Sequence, residues 1–129
     1  MTVQYGVSLR NARLASDETV IGASPLLRII TGTQPANCGT AQSGITLVEM
    51  ALPADAFDAP SGGVRAKLGA WSGVGLAAGT AGHYRILDTT GTTCHEQGAI
   101  GSDMTIDNTS IGIGQVVTVT TFTRTASGA

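Results

Sequence analysis

The residues of this chain best equipped for chemistry are two histidines, His83 and His95, and two cysteines, Cys38 and Cys94. Their spacing decides what they can do. Zinc needs three or four ligands converging on one point, whereas Cys94, His95 and Glu96 are consecutive and would point to alternating faces of a strand. The cysteines are too far apart for a CxxC redox pair, and two free thiols are expected. A hydrolytic triad could be assembled on paper from Ser72, His83 and Asp88, but no Gly-x-Ser-x-Gly turn surrounds the serine. The run Gly73-Val-Gly75-Leu-Ala-Ala-Gly79 imitates a phosphate-binding loop with the wrong glycine spacing and no helix after it. Its glycines are expected instead at a tight turn or a close contact with another chain. Asn108-Thr-Ser110 matches a glycosylation sequon and is read as a turn. No catalytic, cofactor-binding or metal-binding residues are assigned, and the expectation is a protein that is not an enzyme.

Composition points the same way. The chain has 129 residues, 42% of them hydrophobic but only 4% aromatic, so a single domain spanning 1–129 must build its core from Val, Ile, Leu and Ala. Only 12% of residues are charged, about half the usual share, which suggests that much of the surface is covered by partners. A net charge of -2, with Lys67 the single lysine, leaves no basic footprint for nucleic acid. No apolar run is long enough to span a bilayer, and residues 1–13 lack the pattern of a signal peptide, so folding in a cytoplasm is expected. Six arginines accompany the one lysine, a bias found at protein interfaces.

Residues 8–21 carry few breakers and place Val7, Leu14 and Ile21 on one helical stripe, which predicts a short helix within an N-terminal arm of residues 1–22. Ser8 is its expected N-cap and Gly22 its stop. Asp17 and Glu18 near its C-terminal end oppose the helix dipole, so this helix needs a docking partner. After Pro25 the pattern turns to period two. Strands are predicted at 26–31, at 45–52 (apolar on both faces, hence central), at 64–71, 82–88, 93–100, 104–107 and at 115–125. In the last, Val117 and Val119 are expected on one face, Val116 and Phe122 on the other. Residues 54–63 read as the longest irregular connection, with room for one helical turn, and 73–82 as a flexible loop. Trp71 is expected as a core anchor whose N–H reaches a partner. These elements predict a mainly β fold: an antiparallel, jelly-roll-like β-sandwich with one short N-terminal helix.

Several segments, among them RNARL near the start, Pro35-Ala-Asn-Cys38, Gly82-His83-Tyr84-Arg85 and Asp107-Asn108-Thr109-Ser110-Ile111, resemble small virion proteins of tailed bacteriophages over nearly the whole chain. The turn at Gly101-Ser102-Asp103 is shorter than in that pattern. The resemblance implies a virion component, most like a head decoration or cement protein made in the bacterial host cytoplasm and carried on the capsid surface. Its expected partners are the major capsid protein and copies of itself, as dimer or trimer, with no nucleic acid and no membrane. The alternative is a tail- or fibre-associated module that binds a receptor-binding protein or a host glycan. Protein contacts are expected from three regions: the arm (Tyr5, Arg10, Arg13), the glycine loop (Gly75, Gly79) and the last strand (Thr118, Thr120, Phe122).

Overall fold

A computed structural model describes residues 3–126. One helix, α1 (Val7–Ile21), precedes nine strands among the described residues: β1 (Leu26–Thr31), β2 (Thr46–Ala51), β3 (Val64–Ala66), β4 (Ser72–Val74), β5 (Gly79–Leu87), β6 (Cys94–Ala99), β7 (Met104–Ile106), β8 (Ser110–Ile111) and β9 (Val116–Thr125). They form two antiparallel sheets. The first has the order β2-β1-β5-β6 with β8 against the start of β5, and the second the order β3-β9-β4 with β7 also paired to β9. The chain crosses between sheets after β2, β4, β6, β7 and β8, so the two layers are interwoven, and the result is the antiparallel β-sandwich with one short helix that was expected. Both inner faces close on a core of aliphatic side chains around four rings, Phe57, Trp71, Tyr84 and Phe122, that meet edge-on or tilted.

Several local expectations are corrected by pairing that sequence does not display. The segment 45–52 forms an edge strand of its sheet, not a central one. An isolated bridge from Val48 to Gly75 joins the two sheets along that edge. Residues 54–63 contain no helical turn, and the connection 32–45 is longer. The supposed loop 73–82 is mostly strand, since it holds the end of β4 and the start of β5. α1 begins after Gly6 with no side-chain cap, so Ser8 is not its N-cap, while Gly22 ends it as expected with its N–H on the Glu18 carbonyl. Leu14 and Ile21 are buried but Val7 is exposed, so only part of the helical stripe is used.

The largest correction lies in β9. Thr105 pairs with Thr121 and Ile106 with Val119, so the strand carries one extra residue at Thr120. Such a bulge shifts the alternation of faces by one position. Val117 and Val119 point inward before it, Phe122 and Arg124 after it, so Phe122 shares the face of the two valines instead of opposing it.

The bulge places Arg124 beside Arg65, its partner across β3 and β9, on the inner face at one end of the sandwich. Two like charges directly opposite are unfavourable unless each finds acceptors. α1 supplies them. Arg65, 3% exposed, donates to the carbonyl oxygens of Leu14 at 2.5 Å and Asp58 at 2.6 Å and to Glu18 at 2.9 Å. Arg124 pairs with Asp17 at 3.1 Å and with Glu96 of β6, and its guanidinium lies 4.7 Å from the Phe57 ring centroid. Asn11 adds an acceptor for the Gly63 N–H at 2.8 Å. The two acidic residues that weaken α1 in isolation are therefore the ones that dock it.

Burial raises the pKa of Glu96 above the ordinary glutamate value, against the opposing pull of Arg124 and of the Tyr84 hydroxyl, which donates to Glu96 Oε2 at 2.8 Å. Desolvation, reinforced by the Glu96 charge, in turn raises the Tyr84 phenol.

Replacing Arg65 with Ala strands the Leu14 and Asp58 carbonyls and frees Glu18, and is expected to cost roughly 3 kcal/mol. Urea unfolding followed by circular dichroism measures this loss. Because Glu96 binds its proton more tightly folded than unfolded, its contribution is present below the ordinary glutamate pKa and lost as pH rises through the raised value. Wild-type stability minus that of Glu96→Gln should accordingly fall as pH rises across that window. Urea midpoints of both proteins over a pH series test the sign.

Candidate interaction surface

The outer face of the second sheet has an unusual chemistry. Register puts Val64, Ala66, Thr123 and Thr125 together at one end, Ser72, Val74, Val116 and Thr118 at the other, and Thr105 with Thr121 alongside. Thr120, the bulge residue, is exposed beside them. No charged side chain stands among these positions. Apolar surface is left open there, with Val116 61% and Val74 50% exposed, and the neighbouring Leu76 and Ile113 are 59% and 77% exposed. Threonine hydroxyls link across it, Thr105 to Thr120 at 2.7 Å and Thr105 to Thr121. The strand pattern explains the face: β9 alternates inward Val with outward Thr, and β3 turns its one charge, Arg65, into the core.

The outer face of the first sheet is different, because residues 32–45 lie over it. A row of side chains crosses that sheet, Glu49, Arg28, Arg85 and Gln97 on successive strands. Arg28 pairs with Glu49 at 2.7 Å, while Arg85, 4% exposed, donates to the carbonyl of Thr40 at 2.7 Å, and Gln97 to that of Pro35 at 2.7 Å. His83 is fully buried beneath the same cover, its Nδ1 at 2.8 Å from the Gly32 carbonyl. Cys38 in the cover meets Cys94 of β6, with the sulfurs 2.7 Å apart.

Ser72 lies on the outer face of one sheet and His83 on the outer face of the other, so the conceivable triad is not brought together. Asp88 caps the following turn, its carboxylate accepting from Thr90 and from the N–H groups of Thr92 and Thr93, and the Thr90 bond above all holds its pKa below the usual aspartate value. His95 is the extra residue of a second bulge in β6 and lines a small cleft with Asp17, Glu96 and Arg124. Among the described residues no group of three or more His, Cys, Asp or Glu side chains is arranged to hold a metal ion.

Of the residues expected to make protein contacts, Thr118 and Thr120 fall on the uncharged face. Phe122 does not; it is buried in the core behind it. Gly75 is buried as well, and the crowding it relieves is internal: a Cβ there would come within 2.1 Å of the Gly112 carbonyl oxygen. Gly79 likewise faces Leu47 and Thr31 of its own chain at 3.0 and 3.1 Å. Arg13 lies over the Tyr5 ring at 4.0 Å and Arg10 lies against Gly63, so these three are engaged within the chain; Met1 and Thr2 of the proposed arm lie outside the described residues. Trp71 is the expected core anchor, 1% exposed, but its indole N–H has no partner in the structure. The turn reading of Asn108 holds, with its side chain accepting from the Ser110 N–H at 3.0 Å, and β8 begins there. Val74, Leu76 and Val116 fall inside the expected contact regions without having been singled out, and Ile113 lies outside them; it sits in a turn between β8 and β9, where no periodic pattern marks an exposed apolar residue.

No protein family, curated protein or solved structure matches this chain.

Gly75→Ala forces a backbone shift where β4 meets residue 112 and is expected to cost roughly 2 kcal/mol. Chemical denaturation reads this cost. An unchanged midpoint would show that the contact yields freely.

Proposed function

We propose that this protein is a virion structural component of a tailed bacteriophage that binds the assembled capsid surface and stabilises it. The observation that carries the reading is the uncharged valine and threonine face of the second sheet. An open, uncharged face of this kind suits contact with a repeating shell, because it buries apolar area without stranding charge and its hydroxyls can donate or accept. The segments that resemble small phage virion proteins support the same class. Binding as a dimer or trimer would multiply weak contacts around a symmetry axis of the shell.

The alternative, a tail or fibre module that grips a host glycan, would call for exposed aromatic rings. Four of the five rings, Phe57, Trp71, Tyr84 and Phe122, are in the core, and the fifth, Tyr5, is under Arg13. That allocation favours the capsid reading.

The test is binding to assembled shells lacking this protein. The double substitution Val116→Arg with Thr118→Arg places two charges on the open face. It should leave stability within about 0.5 kcal/mol per site while lowering shell affinity at least about tenfold, the loss expected when a charge is buried unpaired. Thr89→Arg, in an exposed turn after β5, should bind as wild type. Equal binding by all three proteins, or none by wild type, would sink the proposal.

A further inference from the structure

The two cysteines come from opposite sides of one structural joint. Cys38 belongs to the cover, residues 32–45, and Cys94 opens β6, a strand of the sheet beneath it. Apart from them, the cover is held to that sheet by hydrogen bonds, among them those from Arg85 to Asn37 and Thr40, Gln97 to Pro35, Arg28 to Gln42 and His83 to Gly32, and those between Thr31 and Ile45 at its end. The sulfurs are 2.7 Å apart. Even carbon atoms in contact rest at about 3.5–4.0 Å, and sulfur is larger, so the two sulfurs already lie closer than unbonded thiols would settle. Both residues are half-buried, and a cavity of about 210 Å³ lined by both cysteines with Arg28, Arg85, Gln42 and Thr92 opens beside them.

We propose that Cys38 and Cys94 are a disulfide-forming pair, and that a low-molecular-weight disulfide such as glutathione disulfide converts them into a cross-link that fixes the cover on the first sheet. One cysteine thiolate attacks glutathione disulfide, forming a mixed disulfide and expelling one glutathione thiolate. The other cysteine thiolate then attacks the protein sulfur of that mixed disulfide and expels the second. One protein Sγ–Sγ bond forms, one glutathione S–S bond breaks, and the two cysteine protons end on two glutathione thiols.

Burial pushes the Cys94 thiol up to about 12, against the pull of the neighbouring Arg85, so this sulfur is protonated at neutral pH. Closure is therefore slow at neutrality and accelerates with pH, since only the thiolate reacts. The inference does not depend on the virion reading.

The experiment uses the full chain purified under reductant, freed of it, and incubated with glutathione disulfide at neutral and at mildly alkaline pH. The expected product is a protein lighter by two hydrogen atoms with neither thiol alkylatable after denaturation. Its peptide map should contain one cross-linked pair holding residues 38 and 94, formed faster at the higher pH. With residues 38 and 94 bridged, the closed loop is long, and Tm should rise by roughly 10 °C over the reduced protein. Cys94→Ser should take up one glutathione and show no such rise. Comparing oxidised with re-reduced wild type gives the same readout should that variant fail to fold. Glutathione adducts on both cysteines, cross-linked dimers, or thiols that stay alkylatable would overturn the pairing, and a cross-link without a rise in Tm would overturn its fixing of the cover.

Discussion

Two guanidinium groups are buried at one end of this sandwich, and the rest of the structure is arranged around satisfying them. Arg65 and Arg124 face each other across β3 and β9. Taking such charges out of water is costly unless counter-charges and carbonyls surround them closely. Carbonyls from α1 and from the connection before β3, with carboxylates from α1 and β6, meet that need, so the helix, both sheets and the loop at Asp58 converge on one polar cluster. The arrangement also accounts for the outer face of the second sheet. With the arginines of β3 and β9 turned inward, what remains outside is valine, alanine, serine and threonine.

The two outer faces thus have opposite characters. On the first sheet the charged row of Glu49, Arg28 and Arg85 is roofed by residues 32–45, which supply backbone carbonyls to Arg85 and to Gln97 next to it. Among the described residues the outer face of the second sheet carries neither charge nor roof. A protein that covered its apolar face and exposed its charged one would follow the usual distribution; this one reverses it, and the proposed docking of another chain rests on that reversal.

How much of this could be read from the sequence depended on whether a feature belongs to one segment or to a pair. The β-branched run of β9, the stop at Gly22 and the need of α1 for a partner are properties of single segments and were legible. The partner itself was not, because Asp17 and Arg124 stand 107 positions apart. The bulge at Thr120 has no marker in a stretch of threonines, since it exists only relative to β7; this is why Phe122 was assigned to the wrong face. β4, three residues with one large apolar side chain, was hidden in a glycine-rich run. The crowding at Gly75 was anticipated, but the crowding atom proved to be a carbonyl of the same chain.

The position of β9 also sets an order of events in time. It is the strand to which β3, β4 and β7 all pair, so the second layer has no template until β9 has left the ribosome. α1, which precedes every strand described, meets Arg65 of β3 but also Arg124 of β9, so its docking is completed only with that strand. Contacts this distant in sequence slow folding, because the intervening chain must close before any of them is rewarded. A nascent chain that stops short of β9 would therefore possess the strands of the first sheet but not the uncharged face.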